Sequence, residues 1–351
     1  MAELQPYFID FHTKIRLSFE DSAVLREKRD IVLRKLKTNL KKNFEDRGET
    51  PPTFKNFDQG SYAMGTGTKP LGGDYDIDVA IVFSVAADAY PDPVEVKKWV
   101  HDALDGHTKS VKVRQPCVTV FYQADDAPIY HVDLAIYSSS DCNDDNKTYL
   151  ARGRLGSSEE HRFWEVNDPK ELKRLITERF SGEDRKQFRR IVRYLKRWRN
   201  VKFSSAGNAS PLGIGMTVAA YEWFVPHKTR DIFAADAKYH DHEALLDFVN
   251  TMLADFKSID RDGEVVERLE VELPVEPYND LFAKMTDQQM ATFKERLTAL
   301  RDALGEALGM ADPVEACKLL RRYFGEDFPV PEKEETAEVR NKAYSYSSSS
   351  G

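Results

Sequence analysis

The segment GSYAMGTGTKPLGGDYDIDVAIVF, residues 60–83, decides the fold, because it joins a glycine-rich turn to alternating aspartates and then to an apolar run. Side chains alternate between the two faces of a β-strand, so Asp76 and Asp78 share one face, and the other face holds Ile77, Val79, Ile81 and Phe83. Like charges on one sheet face repel each other, and a divalent cation such as Mg²⁺ relieves that repulsion. The segment therefore predicts a strand with a core face and a cation-binding face.

A second acidic position lies in the run YHVDLAIY, residues 130–137, where Asp133 interrupts apolar residues. An ionised side chain in such a strand needs a compensating partner. If this strand lies near the first, Asp133 joins Asp76 and Asp78 in a cluster that can hold two metal ions about 3.5 to 4 Å apart. One ion would polarise an attacking hydroxyl group, and the other would neutralise a triphosphate and its leaving group. The implied reaction is nucleotidyl transfer.

Other interpretations of these aspartates stay open. Asp74 fits the same alternation and competes for a metal position, although Gly72 and Gly73 favour placing it in the preceding loop. The aspartates could instead lie in a solvated turn, and Asp133 could be a buried carboxylate paired with an arginine or with His131. The joint occurrence of a Gly-Ser pair, a DxD pattern and a later strand aspartate favours the metal site.

The Gly60-Ser61 pair suits phosphate binding. Ser61 is a good helix N-cap residue after a turn glycine, and the exposed N–H groups at such a helix start bind phosphate oxygens. An ordinary capping serine is the simpler alternative. The later GTGTK sequence does not match a P-loop, because that motif needs Gly-Lys-Ser/Thr at the start of a helix and Lys69 is followed by Pro70.

Apolar spacing divides the chain into regions of different secondary structure. Residues 21–47 predict a long amphipathic helix, residues 54–137 predict short strands with one helix between them, and the chain from Asp168 onward predicts helices almost throughout. The predicted fold class is α+β, with a small mixed β-sheet. The expected domains are N-terminal helices with a long spine helix (1–52), a catalytic lobe (53–150), a helical lobe (151–330) and a flexible tail (331–351).

The composition is typical of a soluble globular protein, with 41% hydrophobic and 31% charged residues and no apolar run of the ~20 residues that a membrane span needs. The N-terminus does not resemble a signal peptide, and Cys117, Cys142 and Cys317 are too far apart for a cysteine-rich zinc site. We therefore expect a cytoplasmic protein. A net charge of -8 disfavours binding of long nucleic acid through its phosphates.

One segment of this acidic chain is strongly basic. Residues 185–202 contain nine Lys or Arg and no acid. Helical spacing puts Leu195 and Trp198 in a buried stripe, with Arg193 and Lys196 on a neighbouring basic strip. Most of these cations could simply form a solvated face. The predicted anion contact is Lys196, with Arg193 as the second candidate.

Taken together, Gly60-Ser61, the Asp76-Ile77-Asp78 motif before a strand and Asp133 on a later strand resemble the polymerase-beta-like nucleotidyltransferase superfamily. The interval from Ser61 to Asp76 is slightly longer than the usual pattern. The long helix before the Gly-Ser pair and the WEVNDP, YLKRWR and SPLGIGMT segments make the chain similar to the cGAS/DncV-like nucleotidyltransferases (CD-NTases). This likeness covers roughly residues 20–330.

The resemblance implies a bilobed enzyme that converts nucleoside triphosphates, ATP and/or GTP, into a cyclic di- or trinucleotide messenger in bacterial anti-phage (CBASS) defence. It implies that Asp76, Asp78 and Asp133 bind two Mg²⁺ ions, with Mn²⁺ as a possible substitute. It also implies that Asp133 activates the attacking ribose hydroxyl group.

Further contacts follow from the same resemblance. Ser61, next to Gly60, would contact the triphosphate, and Lys196 and Ser210 would hold the donor phosphates. Several family members are joined through their C-terminal residue to ubiquitin-conjugation-like partners, so Gly351 in the SYSSSSG terminus is a candidate conjugation point; a frayed end is the alternative. The chain lacks the clustered His and Cys of the zinc insertion in the metazoan DNA sensor, so direct activation by double-stranded DNA is not expected.

Three other functions are alternatives to this one. A template-independent RNA or tRNA nucleotidyltransferase is the main alternative, and the acidic charge and the lack of an obvious RNA-binding module disfavour it. An antibiotic- or protein-nucleotidylating enzyme is typically shorter. A catalytically idle scaffold would be expected to lose the metal carboxylates, and all three are present.

Overall fold

The computed structural model describes residues 2–123, 129–203, 210–230, 237–261 and 263–332. The chain divides into two compact units. The sheet unit comprises Leu17–Glu178 and Leu273–Asn279, and the helical unit comprises the first sixteen residues, Arg179–Glu272 and the chain from Asp280 onward. Within the described ranges, no helix has both the length and the apolar character needed to cross a membrane.

The helices follow from apolar residues at three- and four-residue spacing. Over the described ranges they are α1 (Gln5–Ile15), α2 (Phe19–Glu45), α3 (Gly60–Ala63), α4 (Pro93–Leu104), α5 (Pro169–Glu178), α6 (Gly182–Lys202), α7 (Gly213–Trp223), α8 (Asp241–Ala254), α9 (Asp287–Gly309) and α10 (Pro313–Phe324). The helix predicted over 21–47 corresponds to α2. It starts at a capping box in which the Ser18 hydroxyl accepts from the Asp21 N–H.

The strands of the sheet unit are β1 (Phe54–Asp58), β2 (Asp74–Phe83), β3 (Ser110–Val113), β4 (Val118–Tyr122), β5 (Ile129–Ser138), β6 (Tyr149–Arg152) and β7 (Phe163–Val166). They form one sheet of order β1-β2-β5-β4-β3, in which β6 pairs with both β5 and β7. The β2 and β5 strands are parallel and the other neighbours are antiparallel. This mixed sheet with its helices confirms the predicted α+β class.

One face of this sheet is an apolar core. The alternating residues Ile77, Val79 and Ile81 of β2 are fully buried there, beside Val132 and Leu134 of β5. Apolar residues of α2 and α4 pack on them. Burial of this face fixes which side of the sheet carries the residues in between, because a one-residue shift would exchange the two faces.

Two sequence predictions about secondary structure are wrong. Asp74 lies in β2 rather than in the preceding loop, because it pairs with Ile129 of β5 and its carboxylate contacts His131 Nε2 at 2.9 Å. The chain after Asp168 is also less helical than predicted. It contains the short pair β8 (Lys228–Thr229) and β9 (Lys238–Tyr239), and the hairpin of β10 (Lys257–Arg261) and β11 (Glu264–Arg268), whose mostly exposed residues give no alternation of burial.

The helical unit is organised by α6. Its Tyr194 and Trp198 are fully buried, and the Tyr194 ring stacks on Phe11 of α1. Arg190 of α6 binds both carboxylate oxygens of Asp241, at 2.6 and 2.9 Å. A buried carboxylate is tolerated when it is paired and hydrogen-bonded in this way. Asp241 thereby fixes the start of α8 against α6.

Candidate active site

Asp76, Asp78 and Asp133 lie on the face of the sheet opposite the apolar core. The parallel register of β2 and β5 places Asp78 directly beside Asp133, and Asp76 beside His131. Neighbouring strands are about 4.8 Å apart, so the side chains of Asp78 and Asp133 start from adjacent positions. The fold thus brings together carboxylates that are 55 residues apart in the sequence.

The Asp133 carboxylate has a distinctive environment. Its Oδ1 atom is buried, and no group in the described part of the chain donates a hydrogen bond to it. A buried carboxylate oxygen without a donor is costly, and a cation is one partner that would satisfy it. Among the described residues, however, no three His, Cys, Asp or Glu side chains are arranged so that they could hold a metal ion. The three aspartates therefore lie on one face and Asp133 has an unsatisfied oxygen, but their side chains are not arranged around a common metal position.

The turn between β1 and α3 is fitted to Asp78. Gly60 has φ +65°, and a Cβ added to it would lie 2.0 Å from Asp78 Oδ2. Both the left-handed backbone and the close approach of the carboxylate therefore require glycine at this position. The prediction that Ser61 caps a helix is wrong, because α3 begins at Gly60 and has Gln59 as its N-cap. The Gln59 N–H donates to the Asp78 carbonyl at 3.0 Å, which ties the turn to β2, and the N-cap lies two residues before Ser61.

Neutral groups surround the carboxylates on this face. The Cys117 thiol lies 3.5 Å from the Thr119 hydroxyl. Burial, followed by the charge of Asp133, raises the pKa of Cys117 to about 12, so the thiol stays protonated. Tyr137 donates to Gln59 Oε1 at 3.0 Å, and burial raises its pKa above the usual value. Neither group adds negative charge to the cluster near neutral pH.

Sequence reasoning missed Lys97 of α4, which is fully buried. Its Nζ donates to the carbonyls of Arg114, Gln115 and Gly153, at 2.5, 3.0 and 2.5 Å. Burial lowers the pKa of the ammonium group to about 8. Lys97 therefore anchors the β3–β4 turn. No local pattern marks it, because its partners come from distant segments.

The predicted phosphate contacts Lys196 and Ser210 lie in the helical unit. Lys196 is buried in α6, and its Cε would be 3.7 Å from a Cβ added to Gly213, the first residue of α7. Ser210 precedes that helix by three positions. The structure therefore brings the lysine to the start of the helix that follows the serine.

The second basic candidate, Arg193, packs against α1. Its Nη1 lies 3.0 Å from His12 Nε2. Burial, followed by repulsion from Arg189, lowers the pKa of Arg193 to about 10. Burial and then the charge of Arg193 lower the pKa of His12 to about 3, so the imidazole is neutral. This contact joins α6 to α1 and makes Arg193 part of the packing of the helical unit.

A cavity of about 570 Å³ adjoins the same sheet face, lined in part by Phe57 of β1 and Val82 of β2. Its lysines are already engaged: Lys147 pairs with Glu276 at 2.8 Å, and Lys170 lies 5.0 Å from the Phe57 ring centroid. These contacts reduce the positive charge that the cavity can offer to an anion. The predicted conjugation point, Gly351, lies outside the described residues.

Comparison with known proteins gives a match at this region. Residues 53–137, which contain β1 to β5, match the family model for the nucleotidyltransferase domain of DncV-like cyclic GMP-AMP synthases. A cyclic GMP-AMP synthase from Escherichia albertii is 27% identical over 183 residues. That alignment covers 49% of this chain and 38% of the relative, so the chain matches less than half of the relative's length.

Solved structures share the fold over nearly the whole chain. Vibrio cholerae DncV cyclic AMP-GMP synthase, in complex with nonhydrolyzable GTP, matches with a TM-score of 0.70 at 16% identity, covering 94% of this chain and 97% of that one. The Bradyrhizobium diazoefficiens CD-NTase CdnG, in complex with GTP, matches with a TM-score of 0.69 at 15% identity, covering 97% and 98%. The fold is therefore that of the DncV-like enzymes, and residues 53–137 match the nucleotidyltransferase domain family of those enzymes.

Proposed function

We propose that this protein is a metal-dependent nucleotidyltransferase that condenses nucleoside triphosphates into a cyclic di- or trinucleotide. The observation that carries the proposal is the parallel register of β2 and β5, which sets Asp78 beside Asp133 with Asp76 on the same face. The unsatisfied Oδ1 of Asp133 supports a cation there. The matched domain family and the synthases of the same fold support the choice of reaction.

The roles of the chain's own residues follow from their positions. Asp76, Asp78 and Asp133 would hold divalent cations, Mg²⁺ or Mn²⁺, which supply positive charge to the phosphates and lower the pKa of a coordinated hydroxyl group. Gly60 lets the turn approach Asp78 closely enough to orient that carboxylate. Asp133 is the candidate acceptor of the attacking hydroxyl's proton, because it starts from the strand next to the two other carboxylates.

The helical unit would contribute phosphate contacts. Lys196 and Ser210 are proposed to bind the donor triphosphate, in keeping with the location of Lys196 at the start of α7. Helix N-termini favour anions, since their first N–H groups have no partner within the helix. Ser61 is proposed as a triphosphate contact from the sheet unit, through its hydroxyl rather than as a helix cap.

ATP and GTP are the first substrates to test. The solved structures include DncV with nonhydrolyzable GTP, CdnG with GTP and an Escherichia coli CdnC with ATP. The test incubates the purified chain with the four nucleoside triphosphates and Mg²⁺ or Mn²⁺, without a primer. A synthase gives small phosphatase-resistant products that mass spectrometry identifies.

Two results of that experiment would contradict the proposal. Absence of small cyclic products under every metal and nucleotide combination would end it. Extension of an added RNA 3′ end, without primer-free products, would favour the RNA or tRNA nucleotidyltransferase instead. Asp76→Asn with Asp78→Asn is the control variant, and it should fold normally and form no product.

A role in anti-phage defence and conjugation of Gly351 are extensions of this proposal. Expression of the wild-type chain with its neighbouring genes should reduce phage plaque formation, and the Asp76→Asn, Asp78→Asn variant should not. Intact mass of the protein from the same cells tests conjugation. A mass adduct that disappears when Gly351 is deleted supports it, and the unmodified mass in both cases contradicts it.

A further inference from the structure

Two exposed cations converge on one aromatic ring of the aspartate-bearing face. Lys112 Nζ lies 5.3 Å, and Arg114 Cζ 5.1 Å, from the ring centroid of Phe121. The same ring meets His131 edge-on, with the centroids 4.4 Å apart. Lys112, Arg114 and Phe121 are called the cationic patch below. The ring attracts both cations through its negative face and keeps them close together.

The strand register sets this patch beside the aspartates. Lys112 of β3 pairs with Thr119 of β4, and Thr119 pairs with Asp133 of β5. Two strand spacings of about 4.8 Å separate the backbones of Lys112 and Asp133, so they are about 10 Å apart. A nucleoside triphosphate is long enough to span this distance. One molecule could therefore contact both groups.

Among the described residues, no carboxylate pairs with the cations of this patch. Lys112 and Arg114 are exposed, and neither forms an ion pair with any residue that the structure describes. The whole chain has a net charge of -8, so a basic pair that no described carboxylate neutralises is locally distinctive. It also contrasts with the cavity beside Phe57, where Lys147 is paired with a glutamate.

The backbone under the patch is firmly held. The Arg114 N–H donates to the Cys117 carbonyl at 2.8 Å, which closes the β3–β4 turn. From beneath the turn, the Arg114 carbonyl accepts from buried Lys97 at 2.5 Å. A site on a fixed backbone loses less entropy on binding than a site on a mobile loop.

We propose that Lys112 and Arg114 bind the phosphate chain of a nucleotide whose reacting group lies at the aspartates. This inference rests on the proposed function and adds a substrate contact from β3 and its turn. A guanidinium group binds phosphate oxygens through paired N–H donors, and the lysine adds a compact charge. Two cations suit a short phosphate chain, whereas long nucleic acid needs an extended basic surface.

The test compares the double variant K112A/R114A with K98A/K109A. The control removes the same charge from lysines that are equally exposed, one on α4 and one just before β3. Three quantities are measured: steady-state turnover of nucleoside triphosphates, binding of inorganic tripolyphosphate by titration calorimetry with Mg²⁺, and the melting temperature. The charge-preserving variant K112R/R114K is measured alongside them.

The K112A/R114A variant should raise KM about ten-fold and weaken tripolyphosphate binding by a similar factor, because two charge-assisted contacts are lost. The kcat should change less, since the aspartates are untouched. The control should stay near wild type in all three measurements, and K112R/R114K should restore most of the KM. A melting temperature that matches the wild type shows that K112A/R114A is folded.

The outcomes separate this inference from the proposed function. A wild-type chain without turnover contradicts the proposed function. In that case, the difference in tripolyphosphate affinity between the wild type and K112A/R114A shows whether the patch binds phosphate. Turnover by the wild type, with unchanged KM and tripolyphosphate affinity in K112A/R114A, overturns the patch alone. Unchanged KM with weaker binding of RNA or DNA also overturns it, because the patch would then bind nucleic acid.

Discussion

The two faces of the β1–β7 sheet are built from alternate residues of the same strands. They differ in the interactions that their side chains make. On one face, Ile77 and Leu134 lie in a closed apolar core. On the other, Asp78 and Asp133 stand side by side, and one carboxylate oxygen has no donor among the described residues. The first face is satisfied by packing within the fold, whereas the second leaves this acceptor unsatisfied by the described residues. Stability and activity should therefore respond to substitutions on different faces.

The largest effect is expected from Asp133→Asn. Loss of this carboxylate should lower nucleotide turnover by about a thousand-fold, equivalent to about 4 kcal/mol of transition-state stabilisation. The free energy of unfolding should not fall, because a buried charge and its repulsion from Asp78 are both removed. Product formation and chemical denaturation measure the two quantities. Asp141→Asn, at an exposed carboxylate after β5, is the matched control and should leave both near wild type.

The opposite face should show the reverse pattern. Leu134→Ala, next to Asp133 in the sequence but fully buried in the core, should lower the free energy of unfolding by about 3 kcal/mol. Turnover per folded molecule should change little. Val82→Ala, on the half-buried aspartate face of β2, should cost less than about 1 kcal/mol. Equal losses of stability for the two variants, in urea denaturation, would contradict the division into faces.

Alanine substitutions at two glycines distinguish the effect of backbone strain from the effect of a clash with Asp78. Gly60 and Gly48 both have positive φ. A Cβ added at Gly60 would clash with the Asp78 carboxylate, whereas a Cβ added at Gly48 would have no neighbour within 4 Å. Either change to alanine should cost about 1 to 2 kcal/mol of stability through left-handed backbone. Gly60→Ala should also lower turnover about a hundred-fold, or about 2.7 kcal/mol, by displacing the Asp78 carboxylate. Equal activity of the two variants would show that Gly60 does not position Asp78.

The last prediction concerns the buried lysine that holds the β3–β4 turn. Lys97→Met should lower the free energy of unfolding by about 2 kcal/mol, because three carbonyls lose their donor. Lys98→Met, at the exposed neighbour, should have almost no effect. Thermal unfolding of both variants measures the difference. A Lys97→Met protein as stable as Lys98→Met would mean that water replaces the ammonium group at these carbonyls.

The carboxylate face could be predicted from sequence because its signal is local. Alternation of Asp76 and Asp78 with apolar residues sets both faces of β2, and Asp133 repeats the pattern in β5. The pairing of the two strands required an assumption of proximity, which their register in the structure supplies. The long helix α2 was predictable for the same reason, since its apolar spacing is regular over its length.

Features that depend on distant partners could not be predicted in this way. Ser61 fits the preference for a helix cap, yet the bond between Gln59 and the Asp78 carbonyl decides where the helix starts. Lys97 looks like any lysine of an amphipathic helix until the β3–β4 turn packs over it. The β10–β11 hairpin has mostly exposed strands, so its sequence lacks the alternation that identifies the buried strands.

The parallel pairing of β2 with β5 has a consequence for synthesis of the chain. Parallel strands cannot be joined by a tight hairpin, and here α4 and the β3–β4 hairpin come between them. A nascent polypeptide that has emerged only as far as residue 123 already carries Asp76 and Asp78 but has no strand to bring a third carboxylate beside them. The whole crossover must therefore be synthesised before the three aspartates can come together, and a chain that stops in this interval lacks the third carboxylate of the proposed site.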